Sequence, residues 1–78
     1  MVMDMIKTVY VRLLNEGTNV SRPTQAILHS DGNFHLLLPS DYDSEDETWE
    51  FLPGSVVACQ AHIISDEEVL LAVKEAKI

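Results

Sequence analysis

The sequence predicts a mainly β fold with a C-terminal helix, an α+β class whose five strands form an SH3-like partly open barrel or a strongly curled antiparallel sheet. Three observations predict this fold. Apolar and other residues alternate with a period of two near the beginning, an Asp-Gly pair separates two apolar runs, and a helix-capping motif precedes an apolar stripe at helical spacing. Closure or curling is expected because a small sheet has to protect its edges.

The first strand is predicted over residues 7–14, where Val9 and Val11 alternate with other side chains and β-branched residues are frequent. The Asn-Glu-Gly-Thr run that follows is turn chemistry. Pro23 lacks the N–H that a central strand requires, so any strand before it should lie at an edge or break. A long loop from Asn15 to Pro23 is therefore expected.

Residues 24–30 and 33–38 read as a hairpin around Asp31-Gly32. A three-residue loop at 30–32, with Gly32 in the left-handed region, pairs residues of equal parity, whereas a two-residue turn would mix the apolar and polar faces. The favoured register gathers one apolar face: Ala26, Leu28, Phe34, Leu36 and Leu38. It places His29 and His35 together on the other, more polar face.

The chain then returns through two further strands, at residues 48–51 and 55–64. The Leu-Pro-Gly-Ser run between them fits a type II turn with Gly54 at its third position. The strand over 55–64 is apolar at both parities, which indicates that both of its faces are partly covered.

The last element is predicted as a helix over residues 66–76. Ser65 followed by Glu68 forms a capping box, and acidic residues in the first turn with lysines in the last complement the helix dipole. An apolar stripe runs at helical spacing: Val69, Ala72, Val73 and Ala76. We expect that stripe to lie across the sheet or to cover an open barrel end.

Length and charge restrict the class of protein. Seventy-eight residues make a single domain, 1–78, and a net charge of −8 would repel nucleic acid and anionic membranes. Residues 1–9 contain one basic residue, Lys7, and Asp4 interrupts their apolar part, so no signal peptide is expected. A lone Cys59 suits a reducing compartment, and the cytoplasm is the expected location.

Six carboxylates lie between positions 41 and 50, and they suggest either a metal loop, a docking surface or a solvated connection. The calcium reading fails because Asp46 and Leu52 occupy the places of the EF-hand glycine and bidentate glutamate. A solvated loop is the simplest interpretation, and docking of a basic partner is the best functional one. The candidate partner-binding residues are Asp41, Asp43, Glu45, Asp46, Glu47, Trp49 and Glu50.

No catalytic, cofactor-binding or metal residue is predicted. Zinc at His29 and His35 would need two more ligands, and Cys59 lies in an apolar strand without the electropositive setting of a nucleophile. Trp49 is expected in the core, with the floor of a peptide-binding groove as the alternative. The two arginines, Arg12 and Arg22, are expected to pair with local carboxylates rather than to bind an anionic ligand.

Two motifs resemble a group of small bacterial proteins: VYVRLLNEGTNVSRP at residues 9–23 and ETWEFLPGSVVACQ at residues 47–60. That group shares the patterns V-x-V-R-L-L-x-E-G-T-x-V-x-R-P and W-E-F-x-P-G-x-x-V. The resemblance implies a compact domain of unknown function and transfers no catalytic residue. Relatives often carry an aromatic residue where this chain has Ser21, so any surface that includes that aromatic would be incomplete here.

Three functional hypotheses follow. The first is a small, non-enzymatic, acidic protein-interaction module of the cytoplasm that meets an unknown, basic partner through the acidic run and the adjoining aromatic strand. The second is an immunity-type neutraliser of a basic toxin or nuclease, whose carboxylates would imitate phosphates. The third and weakest is a metal-dependent enzyme. A homodimer also stays open, because a small sheet leaves edges unpaired.

Overall fold

The computed structural model describes residues 5–14, 20–43 and 45–76. Strands make up 61% of this part, which contains no helix, and therefore no helix long and apolar enough to cross a membrane. The six strands are β1 (Ile6–Leu14), β2 (Ser21–Leu28), β3 (Phe34–Leu36), β4 (Thr48–Trp49), β5 (Val56–Ile64) and β6 (Glu67–Glu75).

Five of the strands form a closed ring of hydrogen-bonded neighbours, in the order β1, β2, β3, β5, β6 and back to β1. The closing pair is parallel and joins Val9 to Leu70 and Tyr10 to Leu71. The other pairings are antiparallel, and β4 adds to the end of β1 through Leu13 and Leu14. The predicted fold class, an α+β SH3-like partly open barrel or curled sheet with a C-terminal helix, is therefore wrong.

The predicted helix over 66–76 is the strand β6. Ser65 and Asp66 have φ of 51° and 67°, and Ile64 lies opposite Glu67, so these two residues form the tight turn of a β5–β6 hairpin. The β5–β6 pairing joins eight residue pairs, and it supplies the backbone hydrogen bonds that a helix would have formed internally. Tertiary pairing thus overrides the local capping signal.

The core lies inside the ring and draws on every strand. Its buried members are Val9, Val11, Ala26, Phe34, Leu36, Trp49, Val57 and Ala72. On β1 the buried residues alternate with more exposed ones, as the period of two predicts. Leu71, the neighbour of Ala72, is also buried although it points to the opposite side, so β6 has little exposed apolar surface at this point.

Pro23 lies inside β2, not at the end of a long loop. The N–H of Leu13 donates to the carbonyl of Val20 at 2.8 Å, and the alternation of the ladder then puts Pro23 at a position that exchanges no hydrogen bond with β1. Its missing N–H therefore costs nothing on that side. Of the predicted loop Asn15–Pro23, residues 15–19 lie outside the described part, and β2 already begins at Ser21.

The β2–β3 pairing ends before the position at which two prolines would lie opposite each other. The N–H of Leu37 donates to the carbonyl of Gln25 at 2.9 Å, so the next hydrogen-bonded pair would be Pro23 with Pro39. Neither proline has an N–H, and β3 ends at Leu36. Leu38, predicted on the apolar face, is consequently 67% exposed, and that assignment is wrong.

The register of the β2–β3 hairpin is confirmed. Leu28 lies opposite Phe34, and the N–H of His29 donates to the carbonyl of Asn33 at 2.8 Å, which leaves the predicted three-residue loop at 30–32. Gly32 has φ of 89°, the left-handed conformation that the bulged turn requires. The backbone N–H of Asn33 donates to Asp31 and holds the pKa of that carboxyl below its usual value.

The turn before β5 is also confirmed. The N–H of Ser55 donates to the carbonyl of Leu52 at 3.0 Å, and Gly54 has φ of 94°, as a type II turn demands at its third position. The strands predicted at 48–51 and 55–64 are present with bounds of 48–49 and 56–64.

If Ser65 and Asp66 form the turn of a hairpin, a sequence better suited to that turn should stabilise the protein. Replacing the pair by Asn-Gly, the preferred sequence for this turn, should raise the free energy of unfolding by about 1 kcal/mol, because both residues then adopt positive φ with less strain. Urea denaturation measures the change. In the control Glu68→Ala, which would remove the reciprocal capping-box interaction of a helix, stability should change by less than about 0.5 kcal/mol. Destabilisation by Asn-Gly would favour a helix instead.

Candidate functional site

The acidic segment, defined here as residues 41–50, folds back through consecutive turns. The N–H of Tyr42 donates to the carbonyl of Pro39 at 3.2 Å, and the N–H of Glu47 donates to the carbonyl of Asp43 at 2.9 Å. The carboxylate of Asp43 also accepts the N–H of Glu45 at 2.9 Å. Asp43 thus stabilises a local turn through its backbone carbonyl and its carboxylate, which is an ordinary role for aspartate.

Arg22 joins the acidic segment to β2 at two points. Its Nη1 donates to Glu47 Oε2 at 3.1 Å, and its Nη2 pairs with Asp41 Oδ1. The side chains of Arg22 and Glu47 are only 21% and 14% exposed, whereas that of Asp41 is 75% exposed. Because screening by water weakens exposed pairs, the Arg22–Glu47 bond contributes more than the Arg22–Asp41 bond.

Glu47 is held from two directions. Its second oxygen, Oε1, accepts the indole Nε1–H of Trp49 at 3.0 Å. Trp49 belongs to the core and is 2% exposed, and the ring of Tyr42 packs edge-on against it with centroids 5.3 Å apart. The carboxylate of Glu47 is thus fixed between the guanidinium of Arg22 and the indole of a core residue.

The far end of the acidic segment is fixed by β4. Trp49 pairs with Leu13, and the N–H of Glu50 donates to the carbonyl of Arg12 at 2.9 Å. The side chains of Glu50 and Arg12 form an ion pair of 3.6 Å between partly exposed groups. Both arginines therefore pair with carboxylates as expected, although the partners of both Arg12 and Arg22 are distant in sequence rather than local.

The candidate partner-binding residues divide into two groups. Asp41, Glu47, Trp49 and Glu50 make the contacts that attach the segment to β1, β2 and the core. Asp43, Glu45 and Asp46 are exposed at the bend between them. Trp49 is core, so a hydrophobic groove with Trp49 as its floor is not open. Asp41 and Glu50 are exposed as well but form ion pairs with Arg22 and Arg12, which leaves the carboxylates of Asp43, Glu45 and Asp46 as the group that a partner could contact.

Tyr42 is the site residue that the sequence analysis misses. It lies in the middle of a charged run, where a single aromatic residue gives no periodic signal. Its half-buried ring packs on Trp49 and also contacts the core cluster. An aromatic inside an otherwise acidic loop is a sign that could have indicated anchoring to the core.

Elsewhere in the described part, the histidines and the cysteine do not form a metal-binding or catalytic site. The rings of His29 and His35 lie 6.0 Å apart, on one face as the register predicts, but no group of three or more metal-ligating side chains is found among residues 5–14, 20–43 and 45–76. Burial raises the pKa of the Cys59 thiol to about 11. The thiol is therefore protonated at neutral pH, the opposite of what a nucleophile requires.

Two open clefts share Tyr10 as a lining residue, and the second also borders Arg12, the ion-pair partner of Glu50. One has a volume of about 430 Å³ and the other about 460 Å³. The first is lined by Thr8, Tyr10, Ala61, Glu68, Val69 and Leu70. The titratable side chains on the second are those of Tyr10, Arg12 and His62. Neither cleft brings together the oppositely tuned pair of carboxyls that an acid–base mechanism would use.

Arg22 and Arg12 offer a matched test of the anchoring contacts. Arg22→Met should lower the free energy of unfolding by about 2 kcal/mol, because it leaves the mostly buried Glu47 carboxylate without its cationic partner. Arg12→Met makes the same change in net charge at an exposed pair and should cost less than about 0.5 kcal/mol. Urea denaturation of both variants distinguishes a local anchor from a general charge effect. Equal losses would contradict the assigned role of Arg22.

Comparison of the chain with models of protein families, with curated proteins and with solved structures finds no match in any of the three. The resemblance to small bacterial proteins thus gains no support from these comparisons, and no family is assigned. The function has to be argued from the geometry and chemistry of the site itself.

Proposed function

We propose that this protein is a small, non-enzymatic interaction module that binds a basic protein partner through the outward carboxylates of the acidic segment. One observation carries the proposal. The segment is tied to the folded core by the contacts of Glu47 with Arg22 and Trp49, so its exposed carboxylates are kept close to the folded body of the protein.

An anchored segment favours binding because less conformational freedom is lost when the partner arrives. The exposed side chains of Asp43, Glu45 and Asp46 lie within four residues of one another at its bend. The net charge of −8 adds a long-range field that attracts a basic surface and raises the association rate. The same field opposes binding of nucleic acid and of anionic lipid.

A cytoplasmic location belongs to the same proposal. The lone cysteine, Cys59, is a free thiol, which a reducing compartment maintains. Its raised pKa keeps the thiol protonated at neutral pH, so the proposal gives it no role in binding or chemistry.

Neutralisation of a basic toxin or nuclease is the second candidate. The three exposed carboxylates at the bend favour it, because a positively charged active site that holds phosphates would accept an array of carboxylates. It differs from a general docking role in its target, since the bound protein would lose activity in the complex.

The test compares two triple variants that make the same change in net charge. The first, Asp43→Asn, Glu45→Gln and Asp46→Asn, removes the outward carboxylates and keeps the oxygen that caps the turn. The second, Asp66→Asn, Glu67→Gln and Glu68→Gln, removes three exposed carboxylates at the β5–β6 turn. Each immobilised protein captures partners from native lysate at about 50 mM and about 300 mM salt, where electrostatic screening differs strongly.

We expect the wild type and the second variant to capture the same basic protein at low salt, and the first variant to capture at least tenfold less of it. Capture should also fall steeply at the higher salt. If both triple variants lose the partner equally, binding follows net charge and not the acidic segment. Failure of the wild type to capture any protein at low salt would contradict the proposal.

A further inference from the structure

One edge of β5 is open. β3 pairs with β5 only through Val56 and Val57, and no other described strand lies on that side of β5. Residues 60–63 are all exposed, and Ile63 is 63% exposed. An open edge of this kind presents unpaired N–H and C=O groups to any strand of matching geometry.

The direction of the backbone groups along this edge follows from two hydrogen bonds. The N–H of Ala76 donates to Val56, whose carbonyl therefore faces β6, and the N–H of Leu36 donates to Ser55, whose carbonyl faces β3. The extra residue of the β5–β6 bulge, Val73, lies on β6, so the alternation along β5 is unbroken. The odd-numbered residues Cys59, Ala61 and Ile63 consequently direct their N–H and C=O groups to the open side.

The edge lacks the devices that normally prevent pairing. Residues 58–64, Ala-Cys-Gln-Ala-His-Ile-Ile, contain no Asp, Glu, Lys, Arg or Pro, although such charged residues make up 23% of the chain. Other strands carry these devices, since β6 begins with two glutamates and β2 contains Arg22 and Pro23. In a protein with a net charge of −8, this uncharged edge is where two copies can approach with the least repulsion.

We propose that this edge of β5 pairs with the same edge of a second copy, antiparallel, about a two-fold axis that passes between the two Ala61 residues. This axis gives three hydrogen-bonded pairs: Ala61 with its copy, and Cys59 with Ile63 in each direction. Each such pair exchanges two N–H···O bonds, so about six backbone bonds form. An axis at Gln60 or His62 would leave only two hydrogen-bonded pairs.

The side chains also match in this register. Cys59 lies opposite Ile63, Gln60 opposite His62, and Ala58 opposite Ile64, so apolar residues meet apolar ones and polar meets polar. Ala61, which meets its own copy at the axis, is small enough to avoid a clash. Antiparallel partners on one face are close enough to pack, and the exposed Ile63 would be covered. The second copy is therefore the occupant that this edge fits.

Sedimentation equilibrium of the full chain between about 10 µM and about 1 mM tests the pairing, a range suited to a small interface. We expect a reversible dimer for the wild type. Ala61→Pro should be monomeric throughout with an unchanged far-UV spectrum and urea midpoint, because the N–H that it removes faces the open side and not β6. A wild type that stays monomeric up to about 1 mM would overturn the proposal.

A matched pair of charge variants provides a second test of the interface. Ala61→Lys sets two ammonium groups opposite each other at the axis and should weaken dimerisation at least tenfold. Leu38→Lys makes the same change in net charge at an exposed residue that lies beyond the end of β3, and it should dimerise at least as well as the wild type. Equal weakening in both variants would overturn the assignment of the interface to β5.

A cysteine scan tests the register. In a Cys59→Ser background, Ala61→Cys places two thiols in a hydrogen-bonded pair with Cα atoms about 5.5 Å apart, a spacing that suits a disulfide. Mild oxidation should therefore cross-link this variant into a dimer, whereas the wild type should not cross-link, because Cys59 lies opposite Ile63. The reverse result would overturn the register. Neither outcome depends on the acidic segment, so failure here leaves the proposed function unaffected.

Discussion

The parallel pairing of β1 with β6 is the contact on which the rest of the structure depends. Without it, the antiparallel strands β1, β2 and β3 would be joined to the β5–β6 hairpin only through the two pairs between β3 and β5. The closing pairs of Val9 with Leu70 and Tyr10 with Leu71 give β1 partners on both sides. They also bring Ala72 into the same core as Val9 and Val11.

This closure also determines where the two surfaces with proposed functions lie. Because β1 and β6 are parallel, the β5–β6 turn lies toward the beginning of β1, while β4 and the acidic segment are attached to its last residues. Trp49 fixes the acidic segment from inside the core, and Arg22 fixes it from β2. A basic partner at the outward carboxylates and a second copy at the edge of β5 would contact different residues.

Local signals predicted the early strands and the two glycine-containing turns. The turns could be predicted because each needs a residue with positive φ at one position, which Gly32 and Gly54 provide. The last element could not be assigned in this way. On β6 the neighbours Leu71 and Ala72 are both buried, so the strand shows no alternation, and its apolar residues also fit a helical stripe. The pairing of Arg22 with Glu47 joins residues 25 positions apart, and only the path of the chain in space brings them together.

The account is tested most directly by nuclear Overhauser contacts in the labelled protein between the backbone protons of Val9 and Tyr10 and those of Leu70 and Leu71. The closed ring predicts cross-strand contacts between these segments, together with cross-strand contacts between Ile64 and Glu67 at the turn of the β5–β6 hairpin. A helix over residues 66–76 would instead give contacts between residues three and four apart and none to β1. That result would contradict the closed ring, the position of the β5 edge and the turn at Ser65-Asp66.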